Sequence, residues 1–344
     1  MKKVFFLVLA IGLASANIFS KNPVIAVQNG GTPQFYFTFQ EALSAATDGD
    51  TLYFPTGVFA IPQAIERELH FVGRGHYPSE SPGSGITRIT GNIILKEGAD
   101  GSSFEGIYLD NIIIANGDGA NIFITISDLS FVRSSIAGIT MGGQYNDSNN
   151  PLNNVSQILI SECVIRGVVT ARQAYNVVIE KSIFDSYLAG FNGQATVENS
   201  VFLSRPLLSN SGITFNNSIF IYDGTNFLQY EGNHVFNNCV FVYDFSFVLG
   251  TNLVNNSITN SDAAVIFEEV TGSAFEYTQN YQLKEGSPAI GIGSGGSDAG
   301  IYGPDQPYTD GITSYPFINE IIVPGTTDEN GNLNIQVKVS AGDY

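Results

Sequence analysis

Tryptophan is missing altogether from these 344 residues, and cysteine, methionine and histidine are scarce, at two, two and three. His70, His76 and His234 are scattered along the chain. No His-pair zinc spacing, Ser–His–Asp arrangement or phosphate-cradling glycine loop is present, so those mechanisms have no support. Of the three, His234 falls beside a strand corner and reads as structural. Basic residues are also few: 14 Lys and Arg stand against 32 Asp and Glu, a net charge of −18. A chain this acidic repels nucleic acid and anionic lipid, and it draws a polyanion in only where cations cluster locally. Long apolar runs are absent beyond the first residues, so no transmembrane segment is expected.

The chain opens MKKVFFLVLAIGLASANIFS. Two Lys precede an apolar run (4–13) too short to span a bilayer, and Ala14-Ser15-Ala16 supplies small residues. This predicts a secretory signal peptide over 1–16, cleaved after Ala16, and a secreted or cell-surface protein. No Cys follows to carry a lipid anchor.

What is abundant is Gly, Asn, Ser, Ile, Val and Phe, a composition for strands and turns. It is also periodic. ILISECVI (158–165), VVIEKSIF (177–184), ATVENSVF (195–202), ITFNNSIF (213–220), HVFNNCVF (234–241) and NLVNNSIT (252–259) recur at intervals of 19, 18, 18, 21 and 18 residues. Each has two short alternating runs around a two-residue corner. A small residue follows the corner: Cys163, Ser182, Ser200, Ser218, Cys239, Ser257. Two earlier segments fit the pattern, FITISDLSF (123–131) with Leu129 in that slot and SSFEGIYL (102–109) with Ile107. One segment cannot bury its apolar face alone, whereas a stack can. The expected fold is all-β: a right-handed parallel β-helix, a β-solenoid of about ten rungs.

Stacking assigns columns. Phe131, Phe184, Phe202, Phe220 and Phe241 are expected to share one inward slot, and the corner Asn to form a hydrogen-bonded ladder, since Asn tolerates left-handed backbone. Cys163 and Cys239 fall in one slot four rungs apart. At about 4.8 Å per rung they lie roughly 19 Å apart, beyond the ~7 Å that a disulfide bridges, so both are expected to be free thiols.

Two further stretches carry a resemblance. FTFQEALSAATDGDTLYFPTGVFAI (37–61) is similar to the helix-and-first-strand entry of secreted bacterial right-handed β-helix proteins of the pectate-lyase-like superfamily, and YQLKEGSPAIGIGSGGSDAGIYG (281–303) to their closing segment. The resemblance implies an N-terminal helical cap and a β-helix over 17–305. The remainder, 306–344, has two alternating runs around Asn330-Gly331, a hairpin signal, and is expected to form a C-terminal β-ribbon or tail. Fold resemblance does not settle activity, because lyases, hydrolases and non-catalytic proteins share this scaffold.

Catalytic candidates are few. Arg133 and Arg166, on neighbouring repeats, and Arg172 beyond them would suit an acidic sugar. Glu180 and Glu198 share a corner slot on adjacent rungs, at the spacing of paired carboxylates. Asp110, Asp118, Asp147 and Asp185 form no trusted metal spacing; no cofactor is expected, with calcium the alternative that a lyase would bring. The long stretch 141–154 is expected to project and bind, with Tyr145 and Asn146 as sugar contacts. Tyr222 and Tyr243 would form an aromatic platform. Val164, Ile183, Val201, Ile219, Val240 and Ile258 form an outward aliphatic stripe. It is either covered by 261–280 and the ribbon or a surface for self-association through Val201, Ile219 and Val240. The leading expectation is a non-catalytic exported protein contacting polysaccharide or another surface glycan. The alternatives are a polysaccharide lyase or glycosidase, and a structural or adhesive module.

Overall fold

The computed structural model describes residues 24–78, 85–115, 124–142, 154–171, 174–208, 210–224, 232–242, 244, 251–270, 272–315, 317–322, 326–327, 330–332 and 336–340. The expected signal peptide lies outside them. Among the described residues no helix is long and apolar enough to cross a membrane.

The chain winds as a parallel β-solenoid. The first sheet stacks Asp50–Tyr53, Leu69–Val72, Ser103–Glu105, Thr125–Val132, Asn154–Ser161, Ala174–Glu180, Asn192–Glu198, Ser211–Asn216, Val235–Asn237 and Leu253–Asn255, all parallel. Ile25–Gln28 and Gln34–Tyr36 begin this sheet as an antiparallel pair. The second sheet runs from Gly57–Ala60 and Thr87–Thr90 through Tyr108–Ile114 and Ser135–Met141 to Val240–Phe241. The far half of Ser135–Met141 continues instead into Val169–Ala171, Leu188–Ala189 and Leu207–Leu208.

From the rung of Ser103–Glu105 onward each corner is made by one residue in the left-handed region: Gly106, Arg133, Glu162, Lys181, Asn199, Asn217, Asn238 and Asn256 have φ between 44° and 66°. Such backbone is unfavourable for most side chains and least so for Gly and Asn. The small residue that follows closes the corner. The Ser182, Ser200 and Ser218 hydroxyls each donate to the carbonyl two residues earlier and accept the N–H of the preceding rung, at 2.8–3.2 Å. Ser134 does the same for Ile107. The slot occupant on that rung is therefore Ser134, not Leu129. The strand is interrupted at Asp128, itself at φ 61°, but its pairing resumes from Leu129 to Val132, and the turn into the second sheet comes at Arg133.

The aromatic core holds several stacks rather than one, Phe215 and Phe236 on the first sheet forming one of them. Phe184, Phe202, Phe220 and Phe241 line the second sheet at centroid spacings of 4.5–4.9 Å. Phe131 belongs to the first sheet, with Phe71 and Phe104. Fully burying each ring contributes about 1.5–3 kcal/mol. Cys163 and Cys239 are buried free thiols, and burial raises both to about 12. Outside, two Asn ladders climb the corner. Asn216, Asn237 and Asn255 link side chain to side chain at 2.9–3.0 Å, and Asn217, Asn238 and Asn256 at 2.7–3.3 Å.

A helix, Phe39–Ala45, precedes the first parallel strand. Thr38 caps it, accepting the Glu41 N–H and donating its hydroxyl to the Glu41 carboxylate. Its Phe39 packs edge-on against Phe54 and Phe71. At the other terminus Phe317–Ile322 and Gln336–Ser340 pair antiparallel.

Candidate functional site

Beyond the last rung the chain turns back along the stack. Ile266, Phe267, Tyr281, Ala289, Ala299, Ile301 and Tyr308 form a second buried cluster with Val164, Ile183, Val201, Ile219 and Val240. Those five aliphatics are 0% exposed, and only Ile258, on the final rung, is half-buried. This corrects the self-association reading: Val201, Ile219 and Val240 are core beneath their own chain and offer no surface. The cover extends to Tyr308, well past residue 280.

The returning segment is also pinned to the corner column. The Ser294 N–H donates to Asn217 Oδ1 at 3.0 Å, and Asn238 donates to the Ser294 hydroxyl. The Gly300 N–H donates to the Asn217 carbonyl. The Thr309 N–H and hydroxyl reach Glu162 at 3.2 and 2.6 Å, and those of Ser314 reach Glu105 at 2.7 and 2.6 Å. At Gly303 a Cβ would stand 1.9 Å from the Asp298 carbonyl oxygen, so only glycine closes that turn.

Several catalytic candidates are consumed by this architecture. Arg133 lies between Glu162 (3.3 Å) and Glu105 (3.6 Å), with Lys181 on the other Glu162 oxygen at 3.2 Å. Burial alone would raise the Glu162 carboxyl. The Thr309 hydroxyl, Arg133 and Lys181 outweigh it and hold the group below the usual carboxylate range. Arg133 is thus a corner brace and does not join Arg166. Glu180 and Glu198 are register neighbours, but Glu180 accepts from the Ser161 hydroxyl and Glu198 from the Asn216 amide, at the foot of the ladder. Tyr222 is half-buried against the main core. Tyr145, Asn146, Arg172 and Tyr243 lie outside the described residues.

One polar cluster stays accessible. On the outer face of the second sheet the aliphatic column continues toward the N-terminus as Ser135, Tyr108 and Arg88. Arg88 pairs with Asp110 at 3.1 Å, its side chain 42% exposed. The Asp110 carboxylate also accepts the Gly91 N–H. The Arg88 and Arg166 guanidinium carbons lie 4.9 and 3.8 Å from the Tyr108 ring centroid. Arg166 is held by the Ser135 hydroxyl (2.8 Å) and the Leu109 carbonyl (2.7 Å). Behind it the Tyr277 hydroxyl, near Ser135, meets His76 Nδ1 at 3.3 Å. Burial, and secondarily Arg166, lowers His76 to about 3, so the ring is neutral. Arg166 is among the residues the sequence singles out, whereas Asp110 enters there only in a group of four Asp with no metal-ligand spacing. Arg88, Tyr108, Ser135 and Tyr277 were missed, and carrying the outward column back past Val164 in the right register would have found the first three.

No protein-family model, no curated protein and no solved structure matches this chain.

Proposed function

We propose that this chain is an exported right-handed parallel β-helix of the pectate-lyase-like kind, closed at one end by its helix. In this reading it holds an acidic polysaccharide, or another surface component bearing carboxylates, without turning it over. The observation that carries the reading is the Arg88–Tyr108–Arg166 group: two guanidinium groups against one aromatic ring, on the stretch of outer sheet that the returning segment leaves half-exposed. Guanidinium groups recognise carboxylates by charge-assisted hydrogen bonds, and an aromatic ring offers a sugar an apolar face. In a chain of net charge −18 a local pair of cations is what admits an acidic ligand.

The test is affinity electrophoresis through polygalacturonate, alginate and hyaluronan, with and without calcium, alongside assays for unsaturated uronate and new reducing ends. The wild type is retarded by at least one polymer without product. Arg88→Ala and Tyr108→Ala lose most of the retention, each contact to a charged group being worth about 1.5–3 kcal/mol. Absence of retention on all three polymers sinks the reading. Release of unsaturated product that stops in Arg166→Lys replaces it with a lyase, since Arg166 is the one catalytic candidate that lies in this cluster.

A further inference from the structure

A second candidate site lies at the opposite kind of surface, built from residues that the Arg88–Tyr108 group does not use. Between the antiparallel pair Ile25–Gln28 and Gln34–Tyr36 and the end of the helix there is a cavity of about 260 Å³. Its buried floor is Val27 and Asp50, 7% and 6% exposed. Asn29, Gln34 and Thr47 are exposed on its rim, and Tyr36 is half-buried in its wall.

The turn that leaves the helix fixes Asp50. One carboxylate oxygen accepts both the N–H and the hydroxyl of Thr47, at 2.6 and 3.1 Å. The other oxygen has no hydrogen-bond partner among the described residues. That oxygen is not among the buried unpartnered atoms, so it stays open to a donor from solvent or from a ligand in the cavity. The rim complements it. The Tyr36 hydroxyl donates to Gln34 Oε1 at 2.7 Å, which orients the Gln34 amide and leaves its N–H groups for a ligand. Asn29 spends an N–H on the Asp48 carbonyl, leaving its side-chain oxygen as an acceptor.

The wall therefore offers an anionic acceptor, a neutral acceptor and a neutral donor, beside the apolar Val27 and the Tyr36 ring. An anion is repelled by Asp50. A metal ion finds a single carboxylate, and no cluster of three or more His, Cys, Asp or Glu exists among the described residues. A neutral polyhydroxyl ligand, which both donates and accepts, matches the set. Sites for drug-sized ligands run from about 300 Å³ upward, so this volume suits one ring. We propose that this cavity binds a single neutral sugar ring, with Asp50 accepting from a hydroxyl and Gln34 and Asn29 completing the exchange.

The experiment is isothermal titration of the intact protein with glucose, galactose, mannose and N-acetylglucosamine, repeated on Gln34→Ala, Asn29→Ala and Asp50→Asn. At least one sugar binds saturably with Kd in roughly the millimolar range, and each variant binds about tenfold more weakly. Asp50→Asn also touches the turn. The Gln34 and Asn29 variants lose only one exposed hydrogen bond each, so they stay folded and keep the result readable on their own. Failure of all four sugars to saturate overturns the proposal, as does equal binding by wild type and both rim variants. Retention on acidic polymer is unaffected by these variants, so loss of this site and loss of the Arg88–Tyr108 reading are distinguishable.

Discussion

Replacing Glu162 by Gln removes one charge and changes almost nothing else in shape. The residue is 5% exposed and sits between Arg133 and Lys181, whose side chains are 12% and 14% exposed. Stripping one partner from a buried ion pair costs about 3–5 kcal/mol, because the remaining charge stays buried. Here the loss is smaller, since Arg133 keeps Glu105 at 3.6 Å and a Gln oxygen still accepts from Thr309. We expect about 2–3 kcal/mol, read by urea unfolding. The loss is local as well as global, because Glu162 also anchors the returning segment. Limited proteolysis near Thr309 therefore accelerates before the solenoid unfolds. The pH dependence has a definite sign. The folded carboxyl lies below its unfolded value of about 4.3, so its stabilisation is complete above that pH and fades as the pH falls through the folded value. Glu162→Gln flattens the stability curve in that acidic window. A cost below about 0.5 kcal/mol, the scale of an exposed pair, would refute the reasoning.

Three further outcomes follow from the same contacts. Ile219→Asp buries a charge at a 0% exposed position; it exposes residues 263–308 to protease and leaves the elution volume of any remaining folded protein unchanged, whereas a self-association defect would shift it. Ser200→Ala leaves the Ser182 N–H without its acceptor and costs about 1–3 kcal/mol in urea unfolding. Cys163 and Cys239, buried with thiols raised to about 12, resist iodoacetamide at pH 8.5 or so in the folded protein and react in denaturant; prompt labelling of either in the native state contradicts their placement.

Much of the solenoid was readable because a stack forces every rung to solve the same problem. Asn holds the left-handed position from Asn199 to Asn256, and the small residue after each corner from Ser182 to Ser257 is Ser except at Cys239, so those rungs fall in register. The corner at Arg133 was missed because Asp128, five residues earlier, is also left-handed, and the alternation of Leu129 and Phe131 after it imitates the run beyond a corner. That slip hid the Ser135–Tyr108–Arg88 column. The contacts of the returning segment were invisible for a different reason. Thr309 meets Glu162, and Ser314 meets Glu105, across more than a hundred residues, and nothing in a linear repeat marks which corner a distant hydroxyl will find. Likewise the cavity at Asp50 needs a turn, a helix end and an antiparallel pair to converge.

Solenoids are usually thought free to gain or lose turns. This one carries a gauge. Ser294, Gly300, Thr309 and Ser314 touch the column at successive heights, from Asn238 down to Glu105. One extra coil inserted between Glu162 and Asn199 would slide those marks apart by about 4.8 Å, out of hydrogen-bond reach. Duplication of a single unit is therefore penalised in this stretch unless the returning segment lengthens with it, whereas coils added past Asn256, where the gauge does not reach, escape that constraint.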